Sequence, residues 1–324
     1  MAIATTTAPA TPPPTPAPPC QKFGTEEHVR GAIAVIDPAQ LDRHMRALAS
    51  FGSRDPRHPG HAQAIAYVKE QLAAIPEAVV SEHKTVYQGI PLTNILVTIE
   101  PGRHTDVVTH DWVLVAAHYD SIAVRTPGWR PAADPAPGAD DNATGTAALL
   151  EYARVLASSR ACIQGRVILA FFDGEELFFK GSAAYLQSES QEAPPYPFAY
   201  VVNIDMVGFN PIADRLDLIW YGPQSDQLRD RVKAVNERYQ IGLSLVEVFA
   251  NDPRRYILDT APFGTAGIPS VTLTERYGPA DATYPGNGFF HTVNDTPDKI
   301  TNEGLWLKAA KLTLATALEL ARFE

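Results

Sequence analysis

The segment WVLVAAHYDS, residues 112–121, decides the predicted fold. Six apolar residues lead without interruption into His118 and Asp120, a pattern typical of a strand covered on both faces with polar side chains at its carboxyl end. The segment VILAFFDGEE, residues 167–176, has the same form and ends in three acidic residues. A third run, VVNIDMV at 201–207, carries one aspartate. Together these segments predict buried strands whose polar ends meet at one edge of a sheet.

Helical and strand patterns alternate along the rest of the chain. Amphipathic spacing predicts four helices, at 38–50, 61–74, 144–158 and 303–322. Further strand patterns occur at 79–87, 92–100 and 270–274, and the first two alternate as antiparallel strands do. We therefore predict an α/β fold in three layers, with a mostly parallel (mixed) central sheet sandwiched between helices.

The composition is that of an ordinary globular protein with a distinct leading segment. Hydrophobic residues make up 45% of the 324 residues and charged residues 20%, so a sizeable core is expected. Residues 1–20 are nearly all Ala, Thr and Pro and predict a disordered tether, whereas residues 21–324 predict a single domain. Cys20 is compatible with a pairing partner, a lipidation site or an exposed thiol, and Cys162 with a small core residue.

The charge balance argues against two classes of partner. The formal net charge is −10, and no run of Lys or Arg stands out. Such a chain is a poor candidate for binding nucleic acid or an anionic membrane surface. The apolar runs are also shorter than a membrane span requires. We expect no nucleic-acid partner and no membrane span.

Histidines and acidic residues recur where strands or loops end, in the pattern of a metal site. Imidazole nitrogens and carboxylate oxygens suit zinc, and two zinc ions about 3.5–4 Å apart need a bridging ligand. We predict that Asp141 bridges two zinc ions. One ion would take His118 and Asp205, and the other Glu176 and His291.

Two features near these residues have competing interpretations. The adjacent Glu175 and Glu176 are compatible with a solvated turn, but they follow an apolar strand, where a metal would relieve their repulsion. One of them would then bind the metal while the other acts as a general base on water. Asp120 is either a surface acid or the acceptor of the ring N–H of His118, which would fix its tautomer. We count Asp120 with the catalytic residues.

The sequence resembles family 28 of the metallopeptidases, the bacterial leucine-aminopeptidase type with two co-catalytic zinc ions. The resemblance runs from about Leu41 to the C-terminus. The segments that carry it are AAHYDS, PGADDNATGTAALLE, FFDGEELFFKGSAAY, NIDMVG and FHTVNDTPDKI. It implies a zinc-exopeptidase-like fold.

The resemblance also implies roles for individual residues. Asp141 rather than Asp140 is the bridging ligand, Glu175 is the catalytic base and Glu176 is a ligand. The implied substrate-binding residues are Tyr256, Asp259, Phe263 and Phe290. The family often carries a Ser-Asp-His-x-x-Phe segment, which here reads LDTAPF at 258–263, so only its Asp and Phe match. Many members have Tyr where this chain has Phe290, and Tyr256 is a candidate to supply the missing hydroxyl.

The implied activity is that of a zinc-dependent aminopeptidase. It would hydrolyse N-terminal residues from peptides with a free N-terminus, through a metal-bridged water activated by Glu175. We expect an exported, monomeric protein. The alternatives are a glutaminyl cyclase, which uses one zinc to cyclise N-terminal Gln, and a metal-free, non-catalytic binding domain. An apolar aromatic before the last His, as Phe290 is, also occurs in the cyclases.

Overall fold

The computed structural model describes residues 25–100, 112–160, 163–192, 198–250, 258–276, 282 and 284–321. The predictions for residues 1–20, Cys162 and Tyr256 lie outside these ranges, and the domain boundaries stay predictions.

Helices and strands alternate through the described chain. The helices are α1 (Thr25–Ala34), α2 (Pro38–Ala49), α3 (Pro59–Ala73), α4 (Gly145–Ser159), α5 (Lys180–Glu192), α6 (Asp226–Arg238), α7 (Ala261–Thr265) and α8 (Glu303–Leu320). The strands are β1 (Val79–Tyr87), β2 (Ile90–Ile99), β3 (Trp112–His118), β4 (Val167–Phe172), β5 (Phe198–Asp205), β6 (Arg215–Trp220), β7 (Ser244–Phe249) and β8 (Ser270–Thr274).

One mixed sheet organises the described residues. Its strand order is β1-β2-β4-β3-β5-β8-β6-β7. Four pairs are parallel, β3 with β4, β3 with β5, β5 with β8 and β6 with β7, and the other three are antiparallel. The predicted fold class, an α/β fold with a mixed sheet flanked by helices, is confirmed.

The centre of the sheet is apolar on both faces. Along β3, Val113 and Val115 belong to one buried cluster together with residues of α2, α3, α4 and α8. The alternate residues Leu114 and Ala116 belong to a second cluster with residues of α5 and α7. Because successive side chains of a strand point to opposite faces, this division places β3 between two helical layers. The continuous apolar run in the sequence reflects that double coverage.

Two predicted boundaries shift for identifiable local reasons. Helix α3 begins at Pro59, two residues earlier than predicted, because Nδ1 of His58 accepts the N–H of Gly60 at 3.0 Å and caps the helix. Strand β5 ends at Asp205, two residues earlier than predicted, because Met206 adopts a left-handed conformation with φ of 52°. Asp205 is therefore the last residue of its strand.

Among the described residues, none of the helices has the length and apolar composition needed to cross a membrane.

Gly181, near the start of α5, packs directly on the end of β4. A Cβ at this position would lie 2.0 Å from the carbonyl oxygen of Asp173 and 2.4 Å from Oδ1 of Asn94. Asn94 joins the two elements, since it donates to the carbonyl of Gly181 at 2.9 Å and accepts the N–H of Asp173 at 2.9 Å. The close approach fixes how α5 sits on the strand end that leads into the acidic turn.

We expect Gly181→Ala to lower the free energy of unfolding by about 1–3 kcal/mol, because the added methyl has to displace backbone. Gly31→Ala in α1 is the matched control, since its Cβ would meet no described atom within 4 Å. That change should raise the free energy of unfolding by about 0.5–1 kcal/mol through helix propensity. Urea denaturation of both variants measures the difference, and equal effects would contradict the packing argument.

Candidate metal centre

The carboxyl ends of three neighbouring strands place polar side chains at one edge of the sheet. His118 is the last residue of β3 and Asp205 the last residue of β5, and the acidic turn 173–176 follows β4. Strand β3 lies between β4 and β5, with His118 in register with Phe172. The three segments therefore end side by side, as the sequence predicted.

Asp141 reaches the same edge from the irregular turn that precedes α4. Residues Ala139–Thr144 form one π-type turn, which is interrupted by extended backbone at Asp141 (φ −102°, ψ 96°). The peptide bond between Asp141 and Asn142 is cis. Asn142 donates to the carbonyl of Ile204 at 3.0 Å and accepts the N–H of Gly145 at 2.8 Å. The turn is thus fastened to the end of β5.

Asp141 lies between two pairs of predicted ligands. Its Oδ1 is 3.2 Å from Nε2 of His118, and that nitrogen is 3.3 Å from Oδ1 of Asp205. Its Oδ2 is 3.0 Å from Nε2 of His291, and that nitrogen is 2.9 Å from Oε2 of Glu176. The structure brings all five predicted ligands together in this grouping, with one carboxylate oxygen of Asp141 facing each pair.

The electrostatics of the cluster call for added positive charge. Burial lowers the pKa of both histidines, but Asp205 and other carboxylates raise that of His118 well above its usual value. Glu176 and Asp141 similarly raise the pKa of His291 to about 11. Burial and the carboxylate of Asp141 raise the pKa of Glu176 to about 7. Each buried carboxylate thus needs a cation or a proton beside it.

The donor set fits a metal such as zinc. Oε1 of Glu176 is buried and has no hydrogen-bond partner among the described residues, and the same holds for Oδ1 of Asp205 despite its proximity to His118. Three ligand atoms, one each from His118, Asp141 and Glu176, lie within 4.8 Å of one another. Buried oxygens without donors are rare unless a cation satisfies them, and oxygen with imidazole nitrogen is a zinc ligand set.

Asp120 holds the acidic turn by its backbone. Its Oδ1 accepts the N–H of Glu175 and its Oδ2 accepts the N–H of Glu176, both at 3.2 Å. Nδ1 of His118 lies 3.2 Å from the carbonyl oxygen of Asp120 and 3.4 Å from its Oδ1. Because β3 ends at His118, Asp120 makes this contact from the turn that follows the strand. Asp120 therefore orients both the histidine and the two glutamates.

Glu175 is buried beside the cluster. Within the described residues it forms no ion pair with His118 or His291. Its exposed fraction is 6%. Burial raises the pKa of Glu175 well above the usual value, His118 opposes the rise, and the carboxylates of Glu176 and Asp259 add to it. A carboxylate with a raised pKa is suited to accept and return a proton near neutral pH.

The profile of Peptidase family M28 matches residues 94–316, which is more than half of the chain. The chain belongs to peptidase family M28. This membership confirms the family predicted from the sequence, and with it the expectation of a peptidase, which is a hydrolase.

Curated proteins named as leucine aminopeptidases resemble the chain over most of its length. A probable leucine aminopeptidase 1 of Trichophyton verrucosum is 26% identical over 303 residues, covering 91% of this chain and 77% of that protein. Leucine aminopeptidase 1 of Phaeosphaeria nodorum is 28% identical over 301 residues, covering 87% and 70%.

Solved structures share the fold. The LapA aminopeptidase of Legionella pneumophila superposes with a TM-score of 0.74 at 20% identity, covering 93% of this chain and 74% of that one. The glutaminyl cyclase of Porphyromonas gingivalis superposes with a TM-score of 0.67 at 20% identity, covering 88% and 98%. At these identities the comparison establishes the fold alone.

Three predicted substrate-binding residues of this M28 chain have different surroundings. Phe263 is fully buried, with its ring centre 6.2 Å from those of Phe172 and Phe198, and its role in substrate binding stays a prediction. Its apolar ring is part of the core between sheet and helices. Asp259 is 1% exposed, and burial raises its pKa to about 7. Phe290 lies with its ring centre 4.6 Å from that of His291, at the site.

The sequence did not single out the residues that hold the Asp141 turn. Fully buried Arg54 donates to the carbonyls of Tyr119 at 2.6 Å and Gly138 at 2.9 Å. Asp295 accepts the N–H groups of Asp140 and Asp141, both at 3.0 Å. The signal for Asp295 was its place in FHTVNDTPDKI, whereas nothing in the loop around Arg54 marks that residue as buried.

Helix α3 also contacts the acidic turn 173–176, through the side chain of His61. Nε2 of His61 lies 3.0 Å from both carboxylate oxygens of Asp173, and the N–H of Thr93 donates to one of them at 2.7 Å. The ring of His61 also stacks on Tyr119, with ring centres 5.5 Å apart. The turn that carries Glu175 is therefore held at both of its ends.

We expect Arg54→Met to lower the free energy of unfolding by about 3 kcal/mol or more, because it leaves several buried carbonyls without a donor. Arg46→Met is the control, since Arg46 is exposed and, among the described residues, forms an ion pair only with Asp42 one helical turn away. That change should cost no more than about 0.5 kcal/mol. Thermal unfolding of both variants checks the difference, and a mild effect at Arg54 would refute its role as an anchor.

Proposed function

We propose that this protein is a zinc-dependent aminopeptidase that removes N-terminal residues from peptides with a free N-terminus. The observation that carries the proposal is the placement of Asp141 between the pair His118 and Asp205 and the pair His291 and Glu176, at 2.9–3.3 Å between neighbouring atoms. The names of the fungal relatives, leucine aminopeptidases, support the same activity.

The five residues would hold two zinc ions. His118 and Asp205 would hold one ion, His291 and Glu176 would hold the other, and Asp141 would contribute to both. The name of one neighbour, a Zn-dependent exopeptidase from Parabacteroides distasonis that is 21% identical, supports the choice of metal. When bound, zinc supplies Lewis-acid polarisation of a carbonyl and lowers the pKa of water.

Glu175 is the general base of the proposed reaction. Its carboxylate takes a proton from the attacking water and delivers it to the nitrogen of the leaving amine. Asp120 holds the backbone of Glu175, so the carboxylate approaches from a fixed direction. Burial keeps bulk water from competing for the proton.

Two residues are proposed to contact the substrate. Both carboxylate oxygens of Asp259 are buried and have no hydrogen-bond partner among the described residues. A buried carboxylate of this kind favours a positively charged group, and the free α-ammonium of a peptide is one. Phe290 offers an apolar ring beside His291. The role of Tyr256, the exported location and the monomeric state remain predictions.

We expect Glu175→Gln to lower kcat for a leucyl anilide by about 10²- to 10⁴-fold while the zinc content stays unchanged, since only the proton acceptor is lost. Glu237→Gln, at an exposed position on α6, is the control with the same chemical change and should retain full activity. Steady-state kinetics and elemental analysis of the same preparations give both readings. Wild-type turnover in Glu175→Gln would exclude this base.

Metal content separates the proposed function from its alternatives. We expect about two zinc ions per chain, fewer in Asp141→Ala than in His291→Ala because Asp141 serves both pairs, and loss of hydrolysis on chelation. About one zinc, no hydrolysis of aminoacyl anilides and cyclisation of an N-terminal Gln peptide would replace the proposal by a glutaminyl cyclase. A purified chain without zinc or turnover would favour a binding domain.

A further inference from the structure

Solvent reaches the metal centre from the side of His291. The side chain of His291 is 26% exposed, whereas those of His118, Asp141 and Glu176 are 1%, 6% and 3% exposed. A peptide that places its N-terminus among the buried acids must therefore lead its remaining residues out past His291. Side chains around this ligand are in a position to contact the part of the substrate beyond the scissile bond.

Arg125 is fixed at this opening by three contacts. Its backbone N–H donates to the carbonyl of His291 at 2.8 Å. Its Nη1 donates to the carbonyl of Phe290 at 3.1 Å, and its guanidinium carbon lies 4.6 Å from the centre of the Phe290 ring. These contacts hold an exposed side chain in one place, which is unusual for arginine because of its rotamer entropy.

Arg125 also has no acidic partner within the described ranges. The neighbouring Arg130, on the same loop, pairs with Asp134 at 2.7 Å, whereas Arg125 forms no ion pair with another described residue. In a chain with a net charge of −10, an exposed arginine would be expected to find one. A guanidinium has five N–H donors, and the carbonyl of Phe290 occupies only one nitrogen.

Resting on the proposed function, we propose that Arg125 binds the C-terminal carboxylate of short peptides and makes the enzyme prefer dipeptides and tripeptides. A planar guanidinium matches a carboxylate with two parallel hydrogen bonds. One extended residue spans at most about 3.3–3.6 Å, so only the carboxylate of a short substrate can end at the rim next to His291. In a longer peptide, neutral amides would pass Arg125 instead.

The competing interpretation is that Arg125 only holds the loop of His291 in place. That role is independent of the substrate, so its loss would alter zinc content and the turnover of every substrate alike. Recognition of a carboxylate instead changes the KM of carboxylate-bearing substrates. The two roles therefore predict different patterns across substrates.

The test compares leucyl-alanine, leucyl-alanine amide and leucyl p-nitroanilide on the wild-type protein, Arg125→Gln and the control Arg130→Gln. All three substrates have a free α-amine, but only the first has a carboxylate. We expect wild type and Arg130→Gln to favour the dipeptide over its amide by about three- to fivefold in kcat/KM, the size of one exposed charge-assisted contact. In Arg125→Gln the preference should vanish through a higher KM, and in wild type it should shrink at about 1 M salt.

Two results would contradict the proposed role of Arg125. Equal use of the dipeptide and its amide by the wild-type protein overturns it, and so does an equal loss on all three substrates in Arg125→Gln. Calorimetric binding of the dipeptide and its amide to zinc-loaded Glu175→Gln gives the same comparison without turnover. A preference for the dipeptide there, with no hydrolysis by wild type, would support the Arg125 site while the proposed aminopeptidase function fails.

Discussion

The buried carboxylates around Asp141 are the constraint that the rest of the site depends on. The side chains of Asp141 and Asp205 are 6% and 5% exposed, and together with Glu176 they lie against two imidazoles whose pKa values they raise. Buried like charges at this density are unfavourable unless cations lie among them. The fold therefore has to hold the carboxylates in place against their own repulsion, and metal binding and the native state are expected to stabilise each other.

Backbone groups provide much of that restraint. Asp295 accepts two N–H groups of the Asp141 turn, Asp120 accepts two of the acidic turn, and Arg54 donates to the carbonyls that precede Asp141. Each of these side chains fixes peptide groups and so leaves the carboxylates of Asp141 and Glu176 free to face the centre. Arg54 also adds a fixed positive charge behind the cluster, which partly balances its acids.

The sequence predicted the parts of the fold and site that depend on local patterns. Strands β3, β4 and β5 were predicted because coverage on both faces leaves continuous apolar runs, and their ends gave His118, Glu176 and Asp205. Edge strand β7 was missed, since its side chains are exposed or half-buried and its apolar signal is weak. Arg54 was missed because its acceptors lie more than sixty residues away. The role of Phe263 stays a prediction, because a motif match does not say which way a ring points.

The fold that this chain shares with solved structures does not determine which reaction it catalyses. An aminopeptidase and a glutaminyl cyclase superpose on this chain with TM-scores of 0.74 and 0.67, so proteins with both names share this fold. We expect the features that separate the two reactions to lie in the loops beside the centre. Within the described part of the chain, those loops place Phe290 and Arg125 beside His291, the most exposed of the five predicted ligands. Substrate selection is therefore best sought on that side, where a change of side chain alters what enters without disturbing the buried acids.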